Sequence, residues 1–132
     1  MSTTRVLCLP VNDDADEIAA AMLAQLLERA GYAAISFPVD ASLQNSVGLV
    51  APDADDVFCI SALPPFAFAR AIALNQQLRA QFPLTKVIIG VWGFAGDTER
   101  ALLRFQPPHP DKVVRSLGDA VKFVAESAAV KS

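Results

Sequence analysis

Short apolar runs alternate with segments of helical spacing along the whole chain, and this alternation limits the fold more than any other feature. The runs are rich in β-branched and other apolar residues, which predicts strands at 5–10, 33–37, 57–61, 86–91 and 112–114. Helical patterns separate most of them, so successive strands must run parallel through crossover connections. The sequence therefore predicts an α/β domain with helices on both faces of a parallel sheet.

The segments between the strands carry the helical patterns. They predict helices at 14–30, from about 64 to 81, at about 97–105 and from about 117 to 127, with two further turns near 43–50. The first helix has one apolar stripe with two leucines beside it, namely Ile18, Met22 and Leu26, then Leu23 and Leu27. Right-handed crossovers lead to a doubly wound five-stranded parallel sheet of order 2-1-3-4-5. We expect a single domain over 1–132 with an ordered core at about 5–127.

Composition excludes several classes of protein. The net charge is −3 and the basic residues are scattered, so we expect neither nucleic acid binding nor a membrane-surface patch. No apolar run reaches the ~20 residues of a membrane span, and no signal peptide is seen. Cys8 and Cys59 lie in predicted strands, which indicates two buried thiols in a reducing compartment. We therefore expect a cytoplasmic domain, and its excision from a larger membrane protein stays open.

Ligands of open parallel sheets bind beyond the carboxyl ends of the strands, near the switch in strand order. Here the segments 11–19, 61–65 and 90–97 meet at that edge. The first carries four acids at a helix start, Asp13, Asp14, Asp16 and Glu17. Helix capping and the helix dipole explain most of this pattern, while a divalent cation held by two or three carboxylates is the alternative. Four carboxylates would also repel phosphate from this helix end.

The other two segments carry fewer polar groups. Ser61 offers a hydroxyl to a ligand or to the following turn, but no glycine-flanked elbow marks it as a nucleophile. Trp92 either stacks on a ligand or fills the crevice itself, among glycines that permit close backbone approach. His109, the single histidine, is expected at the surface. No base lies near a nucleophile and no lysine lies in the three segments, so we expect no enzyme activity.

These motifs resemble the cobalamin-binding domain of methionine synthase and the mutases, which implies a flavodoxin-like three-layer sandwich. That family carries Asp-x-His-x-x-Gly after strand one, Ser-x-Leu after strand three and Gly-Gly after strand four. This chain has Asp14-Ala-Asp16-Glu-Ile-Ala19, an intact Ser61-Ala-Leu63, and Gly90 followed by Val91. Asp16 therefore stands where the family's cobalt-ligating histidine would be. A carboxylate replaces imidazole poorly, and Ala19 and Val91 are expected to add bulk where the nucleotide tail would thread.

A second resemblance covers about 5–123. The strings at 6–10, 16–27, 59–65 and 90–93 are similar to the soluble C-terminal domain of PerM-like permeases of the autoinducer exporter family. This resemblance implies a domain attached to a transporter at the cytoplasmic face of the inner membrane, with a regulatory or sensing role.

Together these observations predict a non-catalytic ligand-sensing or regulatory domain that needs neither a metal nor a cofactor. The alternative is cobalamin binding in the base-on mode, which requires no protein histidine. The candidate ligand-binding residues are Asp14, Asp16, Ser61, Leu63, Gly90, Trp92 and Gly93. The expected partner is an unknown small molecule or a transporter membrane domain. A homodimer is left open, as is a purely structural role in which the alanine-rich helix faces with Phe66, Phe68 and Phe105 form an interface.

Overall fold

A computed structural model describes residues 4–11, 13–38, 52, 54–63, 68–105 and 109–131. The predicted turns near 43–50 and the helix start near Pro64 lie outside these residues. The described elements, in chain order, are β1 (Arg5–Pro10), α1 (Asp14–Arg29), β2 (Ala33–Ser36), β3 (Val57–Ala62), α2 (Phe68–Gln81), β4 (Lys86–Val91), α3 (Thr98–Leu103), β5 (Lys112–Val114) and α4 (Leu117–Lys131).

The five strands form one parallel sheet in the order β2-β1-β3-β4-β5. This confirms the predicted doubly wound α/β fold. All residues of β3 are buried, as expected for the central strand of a sheet covered on both faces. The order changes direction between β1 and β3, so their carboxyl ends mark the switch point of the sheet.

Two cores lie on opposite faces of this sheet. One face packs against α1 and α4, with Cys8, Cys59 and Ile88 contributed by the three inner strands. The other face packs against α2 and α3, with Ile60 and Val91 among its strand residues. Successive side chains of a strand point to opposite faces, so neighbours in sequence belong to different cores.

The apolar stripes of α1 are divided between core and solvent. Leu23 and Leu27 are fully buried and lie with the small side chains of Ala19, Ala20 and Ala24 against the sheet. The predicted stripe of Ile18, Met22 and Leu26 faces outward instead, with 62%, 52% and 38% of each residue exposed. Alanines let the helix approach the sheet closely, which turns the larger residues of the next stripe away from it.

One candidate interface residue belongs to the core. Phe105 is fully buried between α3 and the sheet, so the prediction that it contributes to an interface is wrong. Phe68 is half-buried against the same core, and Phe66 lies outside the described residues. Among the described residues, no helix is long and apolar enough to cross a membrane.

Candidate functional site

The candidate site lies at the carboxyl ends of the three inner strands. The strand register places Pro10 beside Ser61 and Ser61 beside Gly90. Ser61 follows Val57 and Cys59 in alternation, so its side chain points to the α1 and α4 face. We call the space on this face in front of Ser61 and Gly90 the crevice.

The acidic segment after β1 forms the start of α1. Asp13 is the N-cap, and its Oδ1 accepts a hydrogen bond of 3.1 Å from the Asp16 N–H. In return, Oδ2 of Asp16 accepts one of 3.3 Å from the Asp13 N–H, which completes a capping box. The predicted capping role therefore belongs to Asp13, and Asp16 is its partner at the third helical position.

Asp16 also connects α1 to the segment after β3. Its Oδ1 accepts a hydrogen bond of 2.7 Å from the Leu63 backbone N–H, across 47 residues of sequence. Only 2% of Asp16 is exposed, so this carboxylate is part of the interior. Both of its oxygens are used by backbone N–H groups, and the side chain holds two sides of the crevice together.

Trp92 fills the crevice in front of Gly90. A Cβ atom placed on Gly90 would overlap ring atoms Cζ2 and Cη2 of the Trp92 indole. Only 7% of Trp92 is exposed, and it packs in the same core as Ala19. Of the two roles expected for Trp92, this conformation is the one in which the indole fills the crevice. Gly90 is required for that packing, because any larger residue would displace the ring.

Two buried polar atoms of the crevice have no hydrogen-bond partner among the described residues. They are the hydroxyl oxygen of Ser61 and the indole Nε1 of Trp92. A buried polar group without a partner costs roughly 1–3 kcal/mol, so such groups are infrequent in folded proteins. Two other such atoms, Asn75 Oδ1 and Arg79 Nε, belong to α2, so the crevice is distinguished by having two of them at the switch point of the sheet.

Val91 does not narrow the crevice, contrary to the sequence-based expectation. Its side chain lies in the core formed with α2 and α3, on the opposite face from Trp92. The reason is strand alternation, because Gly90 and Val91 are adjacent and point to opposite faces. Ala19 does lie on the crevice side, beside Trp92 in the other core.

The remaining predicted site residues lie at the rim. Asp14 is the first residue of α1 and is exposed. Gly93 is exposed with a φ of 81°, a left-handed conformation that favours glycine, and its N–H donates to the Arg115 carbonyl at 2.9 Å. Leu63 is half-buried and packs against the crevice-side core. Whether any of these residues binds a ligand stays a prediction.

The two cysteines lie beneath the crevice, side by side on β1 and β3. Both are buried thiols without a disulfide. Burial raises the pKa of Cys8 to about 12. Burial, and then the charge of a neighbouring Cys8 thiolate, raise the pKa of Cys59 well above its ordinary value. Thiolates are therefore disfavoured at this position, and with them the nucleophilic chemistry of cysteine.

The single histidine lies away from the crevice. His109 is exposed, and its carbonyl accepts a hydrogen bond of 2.9 Å from Arg79. The neighbouring Asp111 bonds the start of β4 through the Val87 N–H, which places this turn at the amino edge of the sheet. Within the described ranges, no group of three His, Cys, Asp or Glu side chains is arranged to hold a metal ion.

Comparison with known proteins supports the fold. A scan against family models and a search of the curated proteins found no match. A search of solved structures matched the crystal structure of a novel cobalamin-binding protein from Desulfitobacterium hafniense DCB-2, with a TM-score of 0.69 and 20% sequence identity. The match covers 94% of this chain and 58% of that protein. The chain therefore has a cobalamin-binding-like fold and spans little more than half the length of its structural neighbour.

The residues of the crevice do not fit cobalamin in the mode that the resembled family uses. The position of the cobalt ligand is held by Asp16, whose oxygens bond the N–H groups of Leu63 and Asp13. The space in front of Gly90 is taken by the Trp92 ring. A group could reach the Gly90 backbone from this face only after that indole moves.

The strand ends that meet at the crevice were predictable from the sequence, but the contacts between their side chains were not. The hydrogen bond between Asp16 and Leu63 joins residues far apart in the chain, and no local pattern marks it. The overlap of Trp92 with the space above Gly90 had a local signal, because Trp92 directly follows β4 and continues its alternation, so it lies on the same face as Gly90. The two-residue spacing of Gly90 and Trp92 therefore indicates that the large ring lies over the glycine.

Proposed function

We propose that this domain is a non-catalytic ligand-sensing or regulatory module, and that Trp92 covers its ligand crevice in the ligand-free state. The observation that carries the proposal is the packing of the Trp92 indole over Gly90. The ring nitrogen Nε1 and the hydroxyl oxygen of Ser61 are both buried there without a hydrogen-bond partner among the described residues. A ligand that displaced the indole would give Ser61 a partner and let Nε1 reach water. Relief of these two costs, each roughly 1–3 kcal/mol, would favour the open state when ligand is bound.

The charges at the crevice limit the ligand class. Asp13 and Asp14 are exposed at the start of α1, and Glu17 is half-buried one residue beyond the buried Asp16. These carboxylates offset the attraction that the positive end of α1 would have for an anion. The proposed ligand is therefore a neutral or cationic small molecule with a flat ring of about the size of indole.

The absence of catalysis is part of the same proposal. The candidate nucleophiles on the crevice side are Ser61, Cys8 and Cys59. Ser61 has no base bonded to its hydroxyl within the described part of the chain, and burial raises the pKa of both thiols. Histidine is the general base most often used in enzymes. His109 lies at the opposite edge of the sheet.

A variant with the indole removed tests the proposal. Trp92→Gly should bind tryptamine and indole more strongly than the anionic indole-3-acetate, which carries the same ring. We expect the cation to raise the melting temperature most, and the anion least, at equal millimolar concentrations. Trp92→Phe, which keeps a ring over Gly90, is the matched control and should respond to none of them. Failure of Trp92→Gly to bind any of the three would contradict a ligand site in the crevice.

The second candidate is cobalamin binding in the base-on mode. The unpaired Ser61 hydroxyl and the Ser61-Ala-Leu63 motif favour it, and the structural neighbour is itself a cobalamin-binding protein. The buried position of Trp92 opposes it. Titration with hydroxocobalamin and adenosylcobalamin discriminates the two candidates through the visible spectrum. Micromolar binding to the wild-type chain, or a red chromophore that co-purifies with it, would favour this candidate over the first.

Attachment to a membrane permease at the cytoplasmic face completes the proposal. It rests on the resemblance of the strings at 6–10, 16–27, 59–65 and 90–93 to the soluble domain of PerM-like permeases. The test is the gene sequence upstream of the codon for Met1. Several membrane-spanning segments encoded in frame would support the attachment, while a stop codon directly upstream would contradict it.

A further inference from the structure

We propose that the outer stripe of α1, formed by Ile18, Met22 and Leu26, is a self-association surface on which a second copy of the chain pairs its own α1 antiparallel. The three side chains are spaced four residues apart, which forms a continuous ridge along the helix. Ile18 and Met22 are both more than half exposed. Large apolar residues grouped in this way on one helix are typical of an interaction surface.

The ends of α1 identify the occupant. Asp14 lies in the first turn and Arg29 in the last, and both are exposed beside the stripe. Neither forms an ion pair with any residue in the described part of its own chain. Glu28, also in the last turn, lies about 100° from Arg29 around the helix, away from the stripe. On the side of the stripe, the acidic Asp14, the apolar middle and the basic Arg29 are complementary to the same helix laid in the opposite direction.

The spacing fits a two-fold axis that passes beside Met22. Ile18 and Leu26 each lie four positions from Met22. Ile18 of one copy would therefore face Leu26 of the other. Asp14 and Arg29 lie eight and seven positions away on opposite sides. With a rise of about 1.5 Å per residue, the aspartate of one copy comes level with the arginine of the other to within roughly 2 Å along the axis. A parallel pairing would instead bring like charges together at both ends.

The size of the surface sets the expected strength. One helical ridge buries much less than the ~800 Å² per partner of a standard interface. We therefore expect a weak dimer, with a dissociation constant of about 0.1 mM, held by apolar contacts at Met22 and oriented by the charged ends. Asp16, Ser61 and Trp92 are buried and lie outside this surface, so the dimer would not cover them. Asp14, at the rim of the crevice, is the candidate site residue that the dimer would engage.

Charge reversal at the two ends provides the test. In sedimentation equilibrium over about 10–500 µM, the wild-type chain should show a concentration-dependent monomer–dimer equilibrium. Asp14→Arg and Arg29→Asp should each weaken self-association about tenfold, because like charges then meet at both ends of the pair. An equimolar mixture of the two variants should regain the wild-type association, because both end contacts are again oppositely charged. Met22→Lys should remove association in every combination.

A matched control separates charge from helix stability. Asp119→Arg also replaces an acid in the first turn of a helix, α4, and should associate like the wild type. Melting temperatures would show that all variants are folded. A wild-type chain that stays monomeric at 500 µM, or a mixture that associates no better than the single variants, would overturn the proposal. So would association that Met22→Lys leaves unchanged.

Discussion

The Asp16 carboxylate and the Leu63 backbone N–H form a hydrogen bond of 2.7 Å that ties the first turn of α1 to the end of β3. The same carboxylate completes the capping box with Asp13. A side chain in the position of the resembled family's metal ligand thus performs a structural task at the crevice. These hydrogen bonds hold the start of α1 against the end of β3 without an imidazole at that position.

Replacing Asp16 should therefore cost stability. Asp16→Ala removes a cap contact and leaves the Leu63 N–H without its acceptor, so we expect a loss of about 2–3 kcal/mol in the free energy of unfolding. Asp16→Asn keeps an oxygen acceptor and should lose less. Urea unfolding measures both, with Asp14→Ala, at an exposed position of the same helical turn, as the control. Equal effects of Asp14→Ala and Asp16→Ala would contradict the role of the hydrogen bond.

Gly90 and Trp92 should be coupled in stability. Gly90→Ala places a methyl group in the space of the indole, and we expect a loss of about 2–4 kcal/mol with a red-shifted emission of the single tryptophan. In the Trp92→Ala background the same change should cost less than about 1 kcal/mol. A double-mutant cycle gives the coupling energy.

A glycine outside the crevice provides the control for that cycle. At Gly118 an added Cβ meets only Ser116 Oγ, at an ordinary distance of 3.9 Å. Gly118→Ala should be neutral or slightly stabilising, because alanine favours helix more than glycine does. Additive effects of the changes at Gly90 and Trp92 would show that the indole does not lie over Gly90 in solution.

The strand order was predictable because five apolar runs joined by crossovers allow few topologies. The side of α1 that faces solvent was not predictable, because two neighbouring stripes of the helix are both apolar. The stripe that faces the sheet is the one that also contains Ala20 and Ala24, whose small size permits close packing. The spacing of apolar residues does not show how closely the helix can approach the sheet, because that depends on the size of the side chains.

At the crevice, the sequence predicts which strand ends meet, but it does not predict the long-range pairings between their residues. The Ser61-Ala-Leu63 segment was identified from sequence, while its bond to Asp16 depends on how the chain returns to the same edge of the sheet. The side of the sheet on which Val91 lies follows from strand alternation. If Gly90 faces the crevice, alternation along β4 places Val91 on the other face.

The buried thiols predict a loss of stability at alkaline pH. The pKa of Cys8 is raised from 9.0 to about 12 in the folded chain, so the unfolded chain loses its thiol proton first. The stabilisation is complete below about pH 9 and is lost as the pH rises towards 12. Each thiol should lower the free energy of unfolding by up to about 1.4 kcal/mol per pH unit in that window.

Urea unfolding of the wild-type chain at pH 8, 9 and 10 measures this effect. The control is the Cys8→Ala and Cys59→Ala double variant, which keeps all other titrating groups. Its stability at pH 8 should be lower, while its dependence on pH should be shallower. Identical slopes for the two proteins would mean that the thiols ionise as readily in the folded chain as in the unfolded one.

Arg5 and Asp56 form an ion pair at the amino edge of the sheet. It joins the start of β1 to the residue before β3. The guanidinium donates from Nε at 3.0 Å and from a terminal nitrogen at 2.7 Å to the two carboxylate oxygens. The Asp56 side chain is 2% exposed and the Arg5 side chain 32%. Removal of Arg5 would therefore leave a buried carboxylate, whereas removal of Asp56 would leave a partly exposed guanidinium.

Arg5→Ala should destabilise the chain more than Asp56→Ala does, because it leaves a buried carboxylate without its guanidinium, whereas a one-third exposed arginine can regain water. We expect about 2–4 kcal/mol for the first change and about 1–2 kcal/mol for the second. Arg5→Lys, which keeps the charge but not the paired hydrogen bonds, should fall between wild type and Arg5→Ala. Urea unfolding at pH 7 measures all three, and a larger loss for Asp56→Ala than for Arg5→Ala would contradict this account.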